Sequence, residues 1–387
     1  MGFFPVQGLF QDNFRLLKFS WFSLKTIYSL LLLLFSVFVT TLVIVTMIIR
    51  KNFSDYLALL IYSSFQVLGF CSSIQLAQEW PRFIALWQNL EDRMGNFKMN
   101  TRLVKNVKVL MIVFTILKAA GFMVQFTYQF MVAAKQESTV AEVFKFFALK
   151  IVLCSHVFHI VGYNFFSAVV IWILYIQITL ISFFTDFMLI ALSGIFVTRL
   201  KQLKNKIKAL IKTKNNSSEV WKRIREEHYE LCYLCETINN KLGFMVLVSY
   251  FTNLFLIVVN GASVLKITNN IMKTFSFNIA NTTTVLRILS ISFYPAALSE
   301  EHSKIQAYVL SVPVSLYNLE ISRLTDQVLY IEIALSGKRF FTVRKRAVLT
   351  IAGIVATYQL VLNQLNTQIV PNFNTDSSSN KTAHPKN

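Results

Sequence analysis

The sequence predicts an all-α integral membrane protein. It has seven transmembrane helices, a cytoplasmic amino terminus, an extracellular carboxyl terminus and a helical cytoplasmic base. Two observations predict this. The first is composition: 55% of the 387 residues are hydrophobic and 15% are charged, with a mean hydropathy of +0.53. A soluble chain of that size has too few charges to cover so much apolar surface. The second is arrangement. The apolar residues gather into runs approaching the roughly 20 needed to cross a bilayer, and Lys and Arg gather in blocks between alternate runs. Helix follows from the setting, because an open chain in lipid must satisfy every backbone group within its own segment.

Residues 1–26 form the cytoplasmic amino terminus, with Arg15, Lys18 and Lys25. The first apolar run, Tyr28 to Ile49, is too long for a signal-peptide core and lacks a small-residue cleavage site, so it reads as span 1 at about 27–49. Span 2 follows at about 56–77, a basic cytoplasmic loop at 78–108, and span 3 at about 109–133. The stretch from Phe144 to Thr198 is long enough for one or two crossings. Counted once, as span 4, it places every dense basic block on one side, roughly two thirds of the 38 bases. Counted twice, it sets the two densest blocks on opposite sides. Spans 1–4 therefore occupy 27–198. Cytoplasmic helices at 199–241 carry VTRLKQLKNKIKALIKTK and break at KTKNNSSE. Spans 5 and 6 fill 242–298, and an amphipathic cytoplasmic anchor fills 299–346. Span 7 lies in 347–368, and 369–387 form an extracellular tail. Asn52, Asn281 and Asn380 begin sequons on or near the outer side. The polarity is the inverse of a G-protein-coupled receptor's.

No catalytic constellation is present: no G-x-S-x-G, no H-E-x-x-H and no phosphate-binding Gly loop. The chain reads as a non-enzyme without a cofactor. Cys232 and Cys235 form a CxxC, but no second Cys/His pair stands at zinc spacing, so they read as ordinary helix residues. His156 and His159 lack a neighbouring carboxylate and read as cavity-lining or packing residues, leaving no metal site. The net charge of +19 is laid out by membrane side, which argues against nucleic acid. Transport, conduction or reception remains.

Polar residues within the spans carry the information. Asp186, near mid-membrane in span 4, costs roughly 2.5–3.5 kcal/mol there unless partnered. It either pairs with a neighbouring helix or lines a pocket. Gln66, Gln125, Gln129, Trp172, Gln177, Asn253 and Asn260 lie in the outward halves of the spans. Amides with aromatic faces suit a neutral polyhydroxylated ligand. The ligand-binding candidates are Gln125, Gln129, Trp172, Gln177, Asp186, Asn253 and Asn260, with helix–helix hydrogen bonding as each one's alternative. In span 7, at 100° per residue, Thr357, Val361, Gln364 or Leu365, and Gln368 share a face. That stripe packs against other helices in a monomer or lines a central pore in a symmetric oligomer.

The run EIALSGKRFFTVRKRAVLTIAGIVATYQLVLNQ resembles the carboxyl-terminal signature of insect gustatory receptors, in which Thr-Tyr, five mostly hydrophobic residues and Gln-Phe recur. Here these are Thr357, Tyr358, QLVLN, Gln364 and Leu365. The block Ala334 to Gly337, Phe340, Phe341 and Arg344 resembles the sugar-receptor branch, as do FFTDFMLIALS around Asp186 and FFPVQGLF at Phe3 to Phe10. The resemblance implies a ligand-gated cation channel of plasma membranes in sensory neurons, a homo- or hetero-tetramer in lipid. Its ligand is a mono- or disaccharide held among the outer helices, and its pore is lined by span 7. Gln364 then forms the polar ring and Leu365 takes the gate position. The sequence departs from the family pattern in Leu365 for Phe, in Gln359 for Glu, and in Ser182 and Phe183 for a Trp-Asn pair.

Overall fold

The computed structural model describes residues 4–8, 16–51, 53–94, 101–135, 139–146, 157–158, 162–265, 271–347, 349–354, 356–358, 360–361 and 364. A two-residue antiparallel pair, β1 (Val6–Gln7) with β2 (Lys18–Phe19), precedes the helices. Then come α1 (Leu24–Arg50), α2 (Phe53–Met94), α3 (Thr101–Ala134), α4 (Val140–Phe146), α5 (Phe165–Lys212), α6 (Ser218–Leu265), α7 (Ile271–Leu310) and α8 (Leu319–Tyr330). A helical terminal segment follows at 345–347, 349–354, 356–358, 360–361 and 364.

Helix ends fall where capping chemistry allows. The Ser23 hydroxyl accepts the Thr26 N–H at 3.1 Å and starts α1. Asn164 and Asn318 cap α5 and α8 in the same way, each accepting a backbone N–H onto its amide oxygen. Along α1, Leu32, Val39 and Val43 are buried, while Leu31, Leu34, Phe38 and Ile48 face outward. Apolar side chains on the outer face are what a lipid surround requires.

Five helical stretches among the described residues are long and apolar enough to cross a membrane. They are α1, Tyr56–Arg93 in α2, Lys108–Ala134 in α3, α5, and Ser218–Val259 in α6. The expected sixth span falls inside α7, whose apolar character is diluted by Asn278, Asn281, Thr282, Thr283, Thr284 and Arg287. Asn281, a sequon residue, lies on this helix, half-buried, and its side-chain oxygen is buried without a hydrogen-bond partner.

The long helices outrun any bilayer. At about 1.5 Å per residue, the 48 residues of α5 and of α6 each extend about 72 Å, against a hydrocarbon core of about 30 Å. Likewise α2 does not stop at Ala77, where its apolar run ends; it continues as helix through Pro81 to Met94. The break at KTKNNSSE is real: α5 ends at Lys212 and α6 begins at Ser218.

The polar extensions pack together. Trp221, Leu200, Leu203, Ile207, Leu231, Ile305, Ile321 and Leu324 form their apolar interior. Around it Lys204 pairs with Glu301 at 2.6 Å, Lys206 with Glu227 at 2.7 Å and Arg225 with Glu320 at 2.8 Å. The most extensive helix contacts are α5 with α7 and α2 with α6.

A tight hairpin joins this base to the terminal helix. The Gly337 N–H donates to Phe341 O and the Phe340 N–H donates to Gly337 O, both at 3.0 Å. Lys338 and Arg339, the turn residues, hold φ of 51° and 65°, as a type I′ turn demands. The Ser336 N–H donates to the Asn239 side chain at 2.8 Å. Phe341 packs edge-on against Tyr250 at 5.1 Å between ring centres. Gly243 of α6 makes room for this hairpin: a Cβ there would stand 3.0 Å from Lys338 N and 3.3 Å from Ser336 O.

Candidate functional site

Asp186 organises the interior where α5, α6 and α7 meet. It is 2% exposed. Its carboxylate accepts from the Ser249 hydroxyl, from Asn253 Nδ2 at 3.2 Å to each oxygen, and from Arg287 Nε at 2.7 Å. The Arg287 guanidinium lies 4.0 Å from the centre of the Phe183 ring. A carboxylate at this depth is tolerable because a cation and two further donors satisfy it. The same contacts explain Arg287, which makes α7 the least apolar of the expected spans. Asn253 also donates to Ser249 O at 2.9 Å, and its own side-chain oxygen is buried without a hydrogen-bond partner. Beside this cluster lies a small cavity of about 50 Å³ lined by Leu110, Phe114, Thr115, Phe183 and Phe187.

A second cavity, about 20 Å³, lies between α1, α2 and α5. Ser36, Tyr62, Ser63, Gln66 and Tyr175 bring polar groups to it. Gln66 is 2% exposed, and neither the nitrogen nor the oxygen of its amide makes a hydrogen bond of good geometry. Orphaned amides inside an apolar helix are unusual, and each such group costs about 1–3 kcal/mol. The cavity as it stands holds about one water. The sequence signal for Gln66 was a lone amide in an apolar run.

The other expected ligand residues distribute along this axis. Trp172 packs on Phe126 at 5.1 Å and on Phe122 at 6.1 Å. Gln177 accepts a hydrogen bond from the Tyr28 hydroxyl, which ties α5 to α1. With about 1.5 Å rise per residue, Trp172 and Gln177 stand about 21 Å and about 14 Å along α5 from Asp186. The Gln66 cavity, lined by Tyr175 and Ile178, is level with Gln177, between Trp172 and Asp186. Thus Asp186 and Asn253 come together, while Trp172 and Gln177 belong to the far end of α5. Gln125 and Gln129 are on α3 and Asn260 is on α6, with side chains outside the described residues.

In the terminal segment, Thr357, Val361 and Gln364 are helical, with Val361 45% exposed. Thr357 returns its hydroxyl to Gly353 O at 2.9 Å. Leu365 and Gln368, and also His156 and His159, lie outside the described residues.

Two kinds of comparison bear on this arrangement. The fold matches the insect olfactory receptor OR5 from Machilis hrabei in complex with eugenol. The TM-score is 0.65 at 13% identity, covering 88% of this chain and 90% of that one. The sequence is 22% identical over 369 residues to the gustatory receptor for sugar taste 64f of Drosophila melanogaster, covering 94% of this chain and 77% of that protein. It is 22% identical over 387 residues to the gustatory receptor for sugar taste 64b of the same species, covering 95% and 92%. A family model described as "Trehalose receptor" matches residues 1–371. These are receptors, not enzymes. The chain belongs to the trehalose-receptor family, within the sugar-taste branch of the insect gustatory receptors.

Proposed function

We propose that the protein is a sugar-gated, nonselective cation channel subunit, assembling as a tetramer in the plasma membrane of sensory neurons. Its amino terminus and polar helical base are cytoplasmic. The observation that carries this reading is the family match along residues 1–371, which takes in both the outer-helix cavities and the terminal helix. In this reading a mono- or disaccharide enters among the outer helices. Gln66, Tyr62, Ser36 and Ser63 offer donors and acceptors to its hydroxyls, while Trp172 and Tyr175 cover its C–H faces. A sugar ring is far larger than the one-water space beside Gln66, so binding draws α1 and α5 away from α2, and that movement is available to drive gating. Thr357, Val361 and Gln364, with Leu365 and Gln368, line the shared pore. No acidic residue is present in the expected seventh span, so selection among cations is weak.

The test is expression of the chain alone in cells with measurement of sugar-evoked cation current. Gln364→Ala is expected to alter permeation or resting current. Surface tetramers that pass no current to any mono- or disaccharide would overturn the autonomous channel. A second reading rests on Leu365 standing where the family carries Phe: a subunit whose pore opens only beside related co-receptor subunits, or one that signals through a G protein. Current appearing only on co-expression favours the co-receptor form. An amino terminus mapped to the outside favours the G protein.

A further inference from the structure

His228, Cys232 and His302 converge in the interior of the polar base, far from the cavities above. His228 and Cys232 stand one turn apart on the same face of α6. His302 arrives from α7, and all three are buried, 0%, 4% and 3% exposed respectively. Their ligand atoms lie within 4.8 Å of one another. His228 Nε2 is 3.4 Å from His302 Nε2, and Cys232 Sγ is 3.5 Å from His228 Nε2. In a tetrahedral zinc site, metal–nitrogen distances of roughly 2.0–2.1 Å and a metal–sulfur distance of roughly 2.3 Å put nitrogen about 3.3–3.4 Å from nitrogen and about 3.6 Å from sulfur. Two edges of that tetrahedron are already in place.

We propose that His228, Cys232 and His302 bind a zinc ion that staples α6 to α7, with water in the fourth position. The donor set, one thiolate and two imidazoles, is made of groups that zinc binds. Each imidazole, in its neutral form, offers one ring-nitrogen lone pair to a metal. The surroundings supply an orienting group. Gln327 Nε2 of α8 lies 2.7 Å from His228 Nδ1 and donates to Arg225 O at 3.3 Å; with its amide turned, it gives up the Arg225 bond, its oxygen accepts the Nδ1–H, and His228 Nε2 is left free for the ion. Without metal, the two imidazoles lie nearly in plane, 21° apart with ring centres at 5.5 Å, and share an N–H···N bond. Binding replaces that bond: each ring turns about χ2, His228 changes tautomer, and the Cys232 thiol gives up its proton to solvent as the zinc–sulfur bond forms. The ion then links α6 and α7 directly, and α8 through Gln327.

The test uses the full chain, purified in lipid nanodiscs and treated with zinc or with cobalt(II) as a spectroscopic probe, then freed of loose metal. Wild-type protein is expected to retain about one zinc per chain and to show the thiolate charge-transfer band of tetrahedral cobalt. Cys232→Ser and His302→Gln are expected to lower retained metal at least about tenfold, while Cys235→Ser leaves it unchanged. Zinc should also slow alkylation of Cys232 at least about tenfold relative to Cys71 in the wild-type protein, a readout that needs no variant to fold. Three results would overturn the proposal: wild-type protein that retains no zinc, a cobalt spectrum without a thiolate band, or alkylation of Cys232 equally fast with and without zinc. Equal loss of metal in Cys235→Ser would also overturn it, by assigning the ion to the CxxC pair.

Discussion

Asp186 and Gln66 are equally buried and make opposite demands on the protein. Asp186 is enclosed by Arg287, Ser249 and Asn253, so removing its charge strands the guanidinium in an apolar interior. Asp186→Asn is expected to destabilise the chain by about 3–5 kcal/mol, seen as a lower melting temperature and reduced surface delivery. Adding Arg287→Leu should recover most of that loss, since removing both charges leaves no unpaired ion. Failure of the double variant to recover would mean that the cluster's hydrogen bonds, and not its charge balance, set stability. Gln66 has less to lose in the unliganded protein, because its buried amide makes no hydrogen bond of good geometry. Gln66→Leu is expected to leave the melting temperature unchanged or slightly higher, while raising the half-maximal sugar concentration about tenfold or more. A melting temperature that falls with an intact dose response would assign Gln66 to helix packing.

At the scale of elements, the hairpin at 336–342 is the joint between the base and the terminal helix. Its tolerance is set by Gly243. A Cβ at that position meets Lys338 backbone nitrogen, which has no flexible end to swing away. Gly243→Val is therefore expected to cost about 1–3 kcal/mol and to weaken sugar responses even with the outer helices intact. Conversely, Lys338→Asn with Arg339→Gly supplies residues suited to positive φ and should stabilise the joint by about 1 kcal/mol. Thermal unfolding of the two variants reads both effects. The block Ala334 to Gly337, Phe340 and Phe341 was legible in the sequence as a signature but not as a turn, because Lys-Arg is poor turn chemistry and its φ values come from tertiary contacts. Apolar runs and the KTKNNSSE break were legible because lipid and chain breakers act locally. The continuation of α2 past Ala77 was not: residues 78–94 are amphipathic, and their partners lie on α5 and α6. The Asp186–Arg287 pair and the His228–Cys232–His302 cluster join residues 101 and 74 positions apart, and only packing reveals them.

On the whole molecule, apolar surface is also exposed outside the helical stretches long and apolar enough to cross a membrane. Val314 is 91% exposed and Tyr330 88%, with Leu319 and Leu329 more than half exposed. All four lie in or beside α8, outside the apolar spans, among ion-paired and capped helices. Such groups left in water favour association. In a tetramer, a patch of this kind on every subunit meets a neighbour under the same rotation, so each residue acts four times around the ring. Subunit contacts in the base would hold the terminal helices near one axis without requiring them to pack tightly, which leaves a pore free to open. Replacing Val314 and Tyr330 together by Glu places like charges in that contact. If the wild-type chain runs as the proposed tetramer in native mass measurements, the double variant is expected to run as monomers and dimers, with its helix content unchanged by circular dichroism. Sugar-evoked current should fall in proportion to the tetramer lost. A double variant that stays tetrameric with full current would shift the assembly contacts to the membrane-embedded helices and leave the α8 face for another protein.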